Sequence, residues 1–455
     1  MKQQHKPQRQ VVDFNGLDQI NLNAAGLDIG AEEIYACVPV GRDTSQVRCF
    51  GTCTADLQEM RAWLIKCGVT TVAMESTGVY WIAPFEVLAE AGLEVYLVNA
   101  RYIKNVSGRK TDVLDCQWIQ QLHMYGLLQA SFRPPEEICA LRALVRHRDR
   151  LIQHRSPHVL HMQKALDEMN LKLTIVVSDI TGVTGRCIIE AILAGERRPQ
   201  VLAAYRQTGC QKSEAEIARA LEGHYRDEQL FMLKQALALY DFYTQQIEAC
   251  DEEIAAKYSA FKPQFDLDAK PLPLPRQRQR PGKGNWPRFD LRSELYKLTG
   301  VDLTQIDGVN VLTAQVVLSE IGADVSPWRT VKHFASWLGL CPNNKITGGK
   351  VKKRGRRKVH NRVAQALKQA AQSLERSQSA LGGCFRRMKA KHGPAIATVA
   401  VAHKLARIIY FMLKNKTAYR DIGPEQYDAH YRERQLHNLN RQAARLGYRL
   451  EPTTV

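Results

Sequence analysis

The first third of the chain alternates between short apolar runs and amphipathic stretches. Apolar runs of strand length, bounded by turn residues, lie within residues 25–40 (two runs), 46–53, 69–74 and 94–99. Apolar residues at helical spacing lie within residues 55–66, 81–91 and 112–125. A period of two favours strands and a period of 3.6 favours helices, so the predicted order is three strands, helix, strand, helix, strand, helix.

This order of elements predicts a ribonuclease-H-like fold, an α/β layer architecture with a mixed sheet, over residues 23–133. From 134 to 260 the strand pattern disappears and long polar helices follow, which indicates a helical or coiled-coil arm. The most periodic segments of the arm are 142–161 and 227–258. The predicted fold class is therefore α/β plus mostly α.

The composition changes to Pro, Lys, Arg, Gln and Gly at residues 261–290. Such a segment predicts a flexible basic linker and a domain boundary. A second, mostly helical domain is expected at 291–421, followed by a polar C-terminal tail at 422–455 with one peripheral helix. Residues 1–22 are predicted to be a basic N-terminal tail.

The charge balance indicates a polyanionic partner. The chain carries 64 Lys and Arg against 46 Asp and Glu, a formal net charge of +18. Cations that neutralise phosphates release condensed counterions, so DNA or RNA is the expected ligand. A length of 455 residues exceeds one ordinary core and predicts two or three domains. The 11 cysteines are scattered singly, which favours free thiols in a reducing cytosol.

The hydropathy pattern contains no segment typical of a signal peptide or a membrane span. A membrane-spanning helix needs about 20 consecutive apolar residues. The most apolar stretch, 396–413, is interrupted by His403, Lys404 and Arg407. We therefore expect neither secretion nor a membrane span.

Two carboxylates lie on predicted strands. Asp28 is in the middle of Gly26-Leu-Asp-Ile-Gly30, and Glu75 ends the strand Thr71-Val-Ala-Met-Glu75. An acid in a buried strand needs a compensating cation, because an unpaired buried charge neutralises itself by a shift of its pKa. Asp112 and Asp115 lie three residues apart at the start of a predicted helix, so they share one helical face.

The four acids together favour a metal site. Hard carboxylate oxygens suit Mg²⁺ or Mn²⁺, and two such ions about 3.5 to 4 Å apart stabilise both oxygens of a phosphoryl transfer. Asp112 and Asp115 also have a structural interpretation, since acids in a first turn are stabilised by the helix dipole. Basic residues in the preceding loop are expected to meet phosphates, or else only to solubilise the loop. They are Arg101, Lys104, Arg109 and Lys110.

Three motifs in this part of the chain resemble the DEDD transposases of the insertion-sequence 110 family. They are Gly26 to Gly30, Met74-Glu-Ser-Thr-Gly-Val-Tyr80 and Lys110-Thr-Asp-Val-Leu-Asp115. The second domain resembles that family's C-terminal transposase domain in Ile306-Asp-Gly-Val-Asn310, the helix 314–322, the segment 334–342 and Asn344-Lys-Ile-Thr-Gly-Gly-Lys350. Because several motifs occur in the same order, the resemblance is specific, and it covers residues 24–421 apart from the linker.

The resemblance implies a RuvC-like domain that holds Asp28, Glu75, Asp112 and Asp115, a coiled-coil arm, and a C-terminal domain that contributes a nucleophilic serine. It implies donor and target DNA as substrates, and a noncoding bridge RNA from the element that pairs with both. A homodimer or homotetramer with active sites shared between protomers is also implied. We expect such a protein in the bacterial cytoplasm, associated with the nucleoid.

The sequence departs from the family at one position. Where the family's motif has serine before Gly-Gly-Lys, this chain has Thr347. Threonine offers the same hydroxyl but is more crowded at Cβ, so attack on a phosphate is chemically possible and sterically harder. A turn hydroxyl that hydrogen-bonds to the local backbone is the alternative interpretation.

Residues 345–362 are the strongest predicted phosphate-binding segment. They contain nine Lys and Arg residues and no acid, and three glycines allow backbone amides to approach phosphates. A solvated run of charges is the alternative. The basic residues are Lys345, Lys350, Lys352, Lys353, Arg354, Arg356, Arg357, Lys358 and Arg362.

Three weaker features have mainly structural interpretations. Residues 306–322 resemble a helix-hairpin-helix, whose turn can present amides to a DNA backbone. His154, His158 and His161 share a predicted helical face, but Pro157 interrupts it and argues against a metal site. An aromatic residue after a strand turn, such as Tyr80, usually serves packing, and no Arg-His-Arg set supports a tyrosine recombinase.

The sequence thus predicts a bridge-RNA-guided transposase in which metal held by the four acids activates the Thr347 hydroxyl, which attacks DNA and forms a covalent protein–DNA intermediate. A structure-selective nuclease in which metal-activated water attacks is the first alternative. A noncatalytic RNA-binding protein with structural acids is the second.

Overall fold

The computed structural model describes residues 16–76, 78–99, 112–265, 271–276, 284–353, 355 and 359–451, with the backbone alone at 112, 345 and 353. The chain divides into two compact units, residues 1–133 and 134–455. The N-terminal unit is mixed α/β, whereas the described part of the second unit is helical except for one hairpin.

A five-stranded sheet forms the centre of the N-terminal unit. Its strands are β1 (Ala24–Ile29), β2 (Glu33–Cys37), β3 (Val47–Gly51), β4 (Thr71–Glu75) and β5 (Glu94–Val98). Their order is β3-β2-β1-β4-β5, with β1, β4 and β5 parallel and β2 antiparallel to both neighbours. The predicted mixed sheet and its succession of strands and helices are therefore confirmed.

Both faces of the sheet are covered, which explains the almost continuously apolar sequence of β1. Two helices, α1 (Thr54–Lys66) and α2 (Ile82–Glu90), pack on the face that includes Leu27 and Met74. The helix α3 (Asp112–Met124) packs on the opposite face, where Ile119 and Leu122 contact Ala73 and Val98.

Helix α3 approaches the sheet closely at Gly26. A Cβ atom on Gly26 would lie 2.3 Å from the backbone nitrogen of Gln120 and 2.5 Å from the carbonyl oxygen of Cys116. Because both atoms belong to the backbone of α3, no rotamer change can relieve the overlap. Glycine at this position therefore sets how closely α3 approaches β1.

The second unit begins with an arm of two long antiparallel helices, α4 (Glu136–Glu168) and α9 (Asp227–Ala260). The buried side chains of Arg148 on α4 and Asp251 on α9 form an ion pair, with a second contact of 3.2 Å from Nη2 to Oδ2. Four short helices separate the two: α5 (Leu173–Val176), α6 (Val183–Leu193), α7 (Pro199–Ala203) and α8 (Glu214–Ala220). They share one apolar core with the ends of α4 and α9.

The predicted helical segment 142–161 contains Pro157, which is expected to interrupt the face of His154, His158 and His161 but does not break the helix. Helix α4 continues through Pro157. A proline removes one backbone hydrogen bond and crowds the preceding turn, and here the adjoining turn is held by α9, because Arg155 Nη1 donates to Thr244 Oγ1 at 3.3 Å. Tertiary packing therefore overrides the local signal.

The rest of the second unit is a helical layer. It contains α10 (Leu291–Thr299), α11 (Val311–Ile321), α12 (Val331–Trp337), the hairpin β6 (Lys345–Thr347) and β7 (Lys350–Lys353), α13 (Arg362–Ser373), α14 (Ala380–His392), α15 (Pro394–Asn415) and α16 (Gly423–Arg445). Helix α15 is the one described helix long and apolar enough to cross a membrane. Val401, Leu405 and Ile409 are fully buried and α13 and α14 pack on it, so it is a core helix in this unit.

Part of the predicted flexible linker is fixed on this layer, so that prediction is wrong for residues 271–276. The carbonyl oxygen of Pro273 accepts a hydrogen bond from Arg292 at 2.7 Å, and that of Leu274 accepts one from Gln305 at 3.0 Å. An extended Pro-rich backbone leaves its carbonyls free to accept such bonds. The C-terminal helix α16 buries none of its residues and is peripheral, as predicted.

Candidate active site and nucleic-acid interface

The parallel pairing of β1 and β4 aligns two of the predicted acids. Leu27 pairs with Met74, so Asp28 and Glu75 occupy the next positions of neighbouring strands. Paired positions of adjacent strands point to the same face, and both residues lie at the carboxyl ends of their strands. Both side chains are half-buried. Asp28 and Glu75 therefore lie side by side at one edge of the sheet.

Helix α3 brings the other two acids to the same edge. It runs antiparallel to β1, since Gln120 Nε2 donates to the Ala24 carbonyl at 3.2 Å while Cys116 lies against Gly26. The pKa of the Cys116 thiol is raised by its hydrogen bond with Cys37, by burial and by the nearby carboxylate of Asp28. The first turn of α3, which holds Asp112 and the half-buried Asp115, thus begins beside Asp28.

Two neighbouring carboxylates, Asp28 and Glu75, are of the kind that suits a hard cation, but the set of four ligands stays a prediction. The side chain of Asp112 lies outside the described residues. Among the side chains that are described, no group of three His, Cys, Asp or Glu residues is placed to hold a metal ion. The predicted phosphate ligands Arg101, Lys104, Arg109 and Lys110 also lie outside the described residues.

A buried histidine fixes the other end of α3. His123 Nε2 lies 2.8 Å from Thr71 Oγ1 at the start of β4, and the ring packs on Tyr96 with centroids 4.6 Å apart. Burial lowers the pKa of His123 to about 4, so the ring is neutral near pH 7. His123 belongs to no sequence motif. Its only signal was its place one turn beyond the buried Ile119 on the helical face that contacts the sheet.

Thr347 lies on an exposed hairpin of the second unit. Gly348 and Gly349 form its two-residue turn with φ of +56° and +73°, the left-handed conformation that glycine adopts without strain. Thr347 pairs with Lys350, so these two side chains share one face of the hairpin. Thr347 and Lys350 are exposed, and no atom of the described residues lies within 4 Å of the Cβ position of Gly348 or Gly349. The hydroxyl is therefore accessible to a large ligand.

The base of the hairpin is closed by asparagines. The Asn343 amide donates to the Gly355 carbonyl at 2.8 Å, and the Gly355 amide donates to Asn344 Oδ1 at 3.4 Å. Lys352 is also exposed, whereas only the backbone of Lys345 and Lys353 is described. Arg354, Arg356, Arg357 and Lys358 lie outside the described residues.

Arg362 differs from the other predicted phosphate ligands. It begins α13, and its guanidinium forms an ion pair with Asp149 of the arm at 3.0 Å. Asp149 offsets part of the positive charge of Arg362. The same ion pair joins α13 to the arm, so Arg362 also has a structural role.

The turn of the predicted helix-hairpin-helix is partly covered. A Cβ atom at Gly308 would lie 2.7 Å from the carbonyl oxygen of Ala370 on α13, and Ile306 and Val309 are fully buried. The turn therefore packs against α13. This placement favours a structural role over phosphate binding.

The remaining weaker features also have defined places. His154 and His158 stack on Tyr243 with ring centroids 5.9 and 5.6 Å apart, and the described part of the chain contains no metal-binding group there. Tyr80 is 49% exposed. The prediction that this ring serves packing is therefore wrong for its exposed half.

Comparison with known proteins gives two matches, one over the N-terminal unit and the start of the arm and one within the rest of the second unit. Residues 25–171 match the transposase family described as DEDD_Tnp_IS110, and residues 302–382 match the family described as Transposase IS116/IS110/IS902. Both matching families are transposases, so the fold and the site belong to that class of protein.

Curated relatives carry transposase names as well. A protein of Pseudomonas aeruginosa named Probable family 20 transposase is 27% identical over 123 residues, which are 26% of this chain and 36% of that protein. The Yersinia enterocolitica protein named Transposase for insertion sequence element IS1328 is 26% identical over 126 residues, 27% of this chain and 37% of that protein. The chain thus spans about a third of the length of these relatives. It belongs to the IS110 family of DEDD transposases.

Proposed function

We propose that this protein is an RNA-guided DNA transposase that cleaves and rejoins DNA at the carboxyl edge of its N-terminal sheet. The observation that carries the proposal is the register of β1 and β4, which aligns Asp28 with Glu75 beside the first turn of α3. We assign the N-terminal unit to the ribonuclease-H-like, RuvC-like class on its order of strands and helices.

Asp28, Glu75, Asp112 and Asp115 would hold Mg²⁺ or Mn²⁺. When bound, the ion neutralises phosphate charge and lowers the pKa of an attacking hydroxyl. The residues of the chain position this chemistry: the strands fix Asp28 and Glu75, and Gly26 and His123 fix the helix that presents the other two acids.

The Thr347 hydroxyl is the proposed nucleophile. A bond forms between its oxygen and a DNA phosphorus while one P–O bond of the backbone breaks, and the released oxygen takes up a proton. Because the phosphodiester energy is kept in the protein–DNA link, rejoining needs no nucleotide cofactor. Support comes from the accessibility of Thr347 and from the exposed Lys350 on the same hairpin face.

Donor and target DNA, an element-encoded bridge RNA and further copies of the chain are the proposed partners, and the bacterial cytoplasm the proposed location. The net charge of +18 supports the nucleic-acid partners. The nuclease alternative shares the acids, but in it Thr347 has no covalent role.

Trapping the covalent intermediate tests this proposal. The full chain, with its RNA, is incubated with nicked suicide DNA and Mg²⁺, and protein–DNA adducts are resolved by denaturing electrophoresis. We expect an adduct with the wild type and with Thr347→Ser, and none with Thr347→Ala. DNA cleavage without any adduct would favour the nuclease, while an adduct that survives in Thr347→Ala would assign the nucleophile to another residue.

A further inference from the structure

The loop after Glu75 presents apolar side chains to solvent beside the acids. Val79 is 68% exposed, Tyr80 49% and Ile82 38%. The first turn of α3, which reaches the same edge of the sheet, adds Val113 at 40% and Leu114 at 51%. Five large apolar side chains beside a set of carboxylates are not explained by the core of this unit.

The base of this loop is held in place. The Ser76 amide donates to the Val98 carbonyl at 3.0 Å, and the Ile82 amide donates to the Val79 carbonyl at 3.2 Å. Gly78 has φ +56°, and its Cβ position lies 3.5 Å from the Tyr80 ring. The ring therefore lies against a residue without a side chain, and its exposed half stays open to a planar ligand.

An aromatic and cationic cluster supports the loop from the following helix. Trp81 and Phe85 meet edge to face at 6.0 Å, and the Arg133 guanidinium lies 4.5 Å from the Phe85 ring centroid. Arg133 also pairs with Glu86 at 3.3 Å. Trp81 thus packs within the unit, whereas about half of the neighbouring Tyr80 side chain is exposed to solvent. The two adjacent aromatic residues therefore have different roles.

We propose that Tyr80 stacks on a nucleobase of the DNA strand that is cut, with Val79 and Ile82 flanking that base. This inference rests on the proposed function, because a phosphate that a divalent cation holds at Asp28 and Glu75 would bring its neighbouring bases to this loop. Base stacking on an aromatic ring tolerates any sequence, since every base has a π face, and apolar side chains next to the ring favour an unstacked step of the duplex. Tyr80 is a positioning residue, as it acts on the base and not on the phosphate.

Variants at Tyr80 separate stacking from other roles. Removing one base–aromatic contact weakens binding roughly 5- to 100-fold. We expect Tyr80→Ala to raise KM for DNA by such a factor, and Tyr80→Phe, which keeps the ring, to behave like the wild type. Tyr205→Ala is the matched control, because Tyr205 is 41% exposed in the second unit. A Tyr80→Phe variant as impaired as Tyr80→Ala would overturn the proposal in favour of hydroxyl chemistry.

An abasic scan identifies the stacked base. Single abasic sites are placed at each of the nucleotides next to the cut, and cleavage is measured with the wild type and Tyr80→Ala. At one position the missing base should impair the wild type but not the variant, which already lacks the stack. Equal penalties for both proteins at every position would refute stacking.

A binding measurement keeps this test separate from the proposed function. The full chain is titrated with single-stranded DNA that carries 2-aminopurine, whose fluorescence falls on stacking. If the wild type quenches the probe, Tyr80→Ala does not, and neither protein cuts DNA, the result contradicts the transposase proposal and supports stacking on Tyr80. Cleavage with quenching unchanged in Tyr80→Ala contradicts stacking on Tyr80 alone.

Discussion

Replacing Gly26 with alanine perturbs the contact that sets the distance between α3 and β1. The added Cβ would lie 2.3 Å from Gln120 N and 2.5 Å from Cys116 O, both backbone atoms. An ordinary contact needs about 3.5 Å, so α3 must move outward by roughly 1 Å. Overpacking of this kind costs about 1 to 3 kcal/mol, and two rigid contacts place Gly26→Ala near the upper value.

The same displacement should reduce activity. Asp112 and Asp115 move with α3, whereas Asp28 and Glu75 stay on the sheet. Misplacement of reacting groups by about 1 Å can lower a rate by about 100-fold. We therefore expect a loss of DNA cleavage of that order at a temperature where the variant is still folded.

Urea unfolding monitored by circular dichroism measures the stability change, and hydrogen exchange of the α3 amides locates it. Gly209→Ala is the matched control, because Gly209 is exposed in the second unit and, within the described part of the chain, no atom lies within 4 Å of its Cβ position. The reasoning is refuted if Gly26→Ala is as stable and as active as Gly209→Ala.

Two further predictions concern buried ionisable side chains. The pKa of His123 is about 4 in the folded state against 6.5 for a free histidine, so the unfolded chain takes up a proton first and stability should fall by about 2 kcal/mol between pH 7 and pH 5. His123→Gln should remove this contribution to the slope in urea titrations and leave that of His158 and His403, whose pKa values are also lowered by burial, whereas His147→Gln, at an exposed site, should keep the full slope; equal slopes would contradict the assignment. Asp251→Ala should destabilise the second unit by about 3 to 5 kcal/mol, because it leaves Arg148 charged and buried. Thermal and urea unfolding should show a much smaller effect for Asp167→Ala, whose pair with Lys172 is exposed, and comparable losses would refute the burial argument.

The sequence predicted the N-terminal unit closely because its periodicities are local. The apolar runs around Asp28 and before Glu75 each specify a strand within a few residues. The placement of both acids at one edge followed from their positions on those strands. What the pattern could not supply was the register between β1 and β4, since pairing between distant segments depends on the whole sheet.

Tertiary contacts account for the features that the sequence did not predict. Pro157 is a local helix breaker, but the packing of α4 on α9 holds the helix together. The short helices α5 to α8 lie within a span predicted only as an arm, because their apolar residues pack as one cluster that no single segment reveals. The Pro-rich segment around Pro273 has the composition of a linker, and only the distant donors Arg292 and Gln305 fix it.

At the candidate site, the properties of Tyr80 and His123 likewise depend on tertiary contacts that the sequence pattern does not show. Exposure of Tyr80 depends on the neighbouring Gly78 and on Trp81 taking the packing position, which composition does not indicate. The neutral state of His123 depends on Thr71 and Tyr96, far from it along the chain. Roles of this kind follow from burial and partners and not from motif spacing.

The acids at the sheet edge are tested most directly by adduct formation on suicide DNA with Asp28→Asn and Glu75→Gln. Asp18→Asn serves as the control, because Asp18 is exposed in the N-terminal unit. We predict that both site variants fold as the wild type does and form no adduct, that chelation of Mg²⁺ abolishes the adduct of the wild type, and that Asp18→Asn keeps it. Adduct yields in Asp28→Asn and Glu75→Gln equal to that of Asp18→Asn would contradict an active site at this edge.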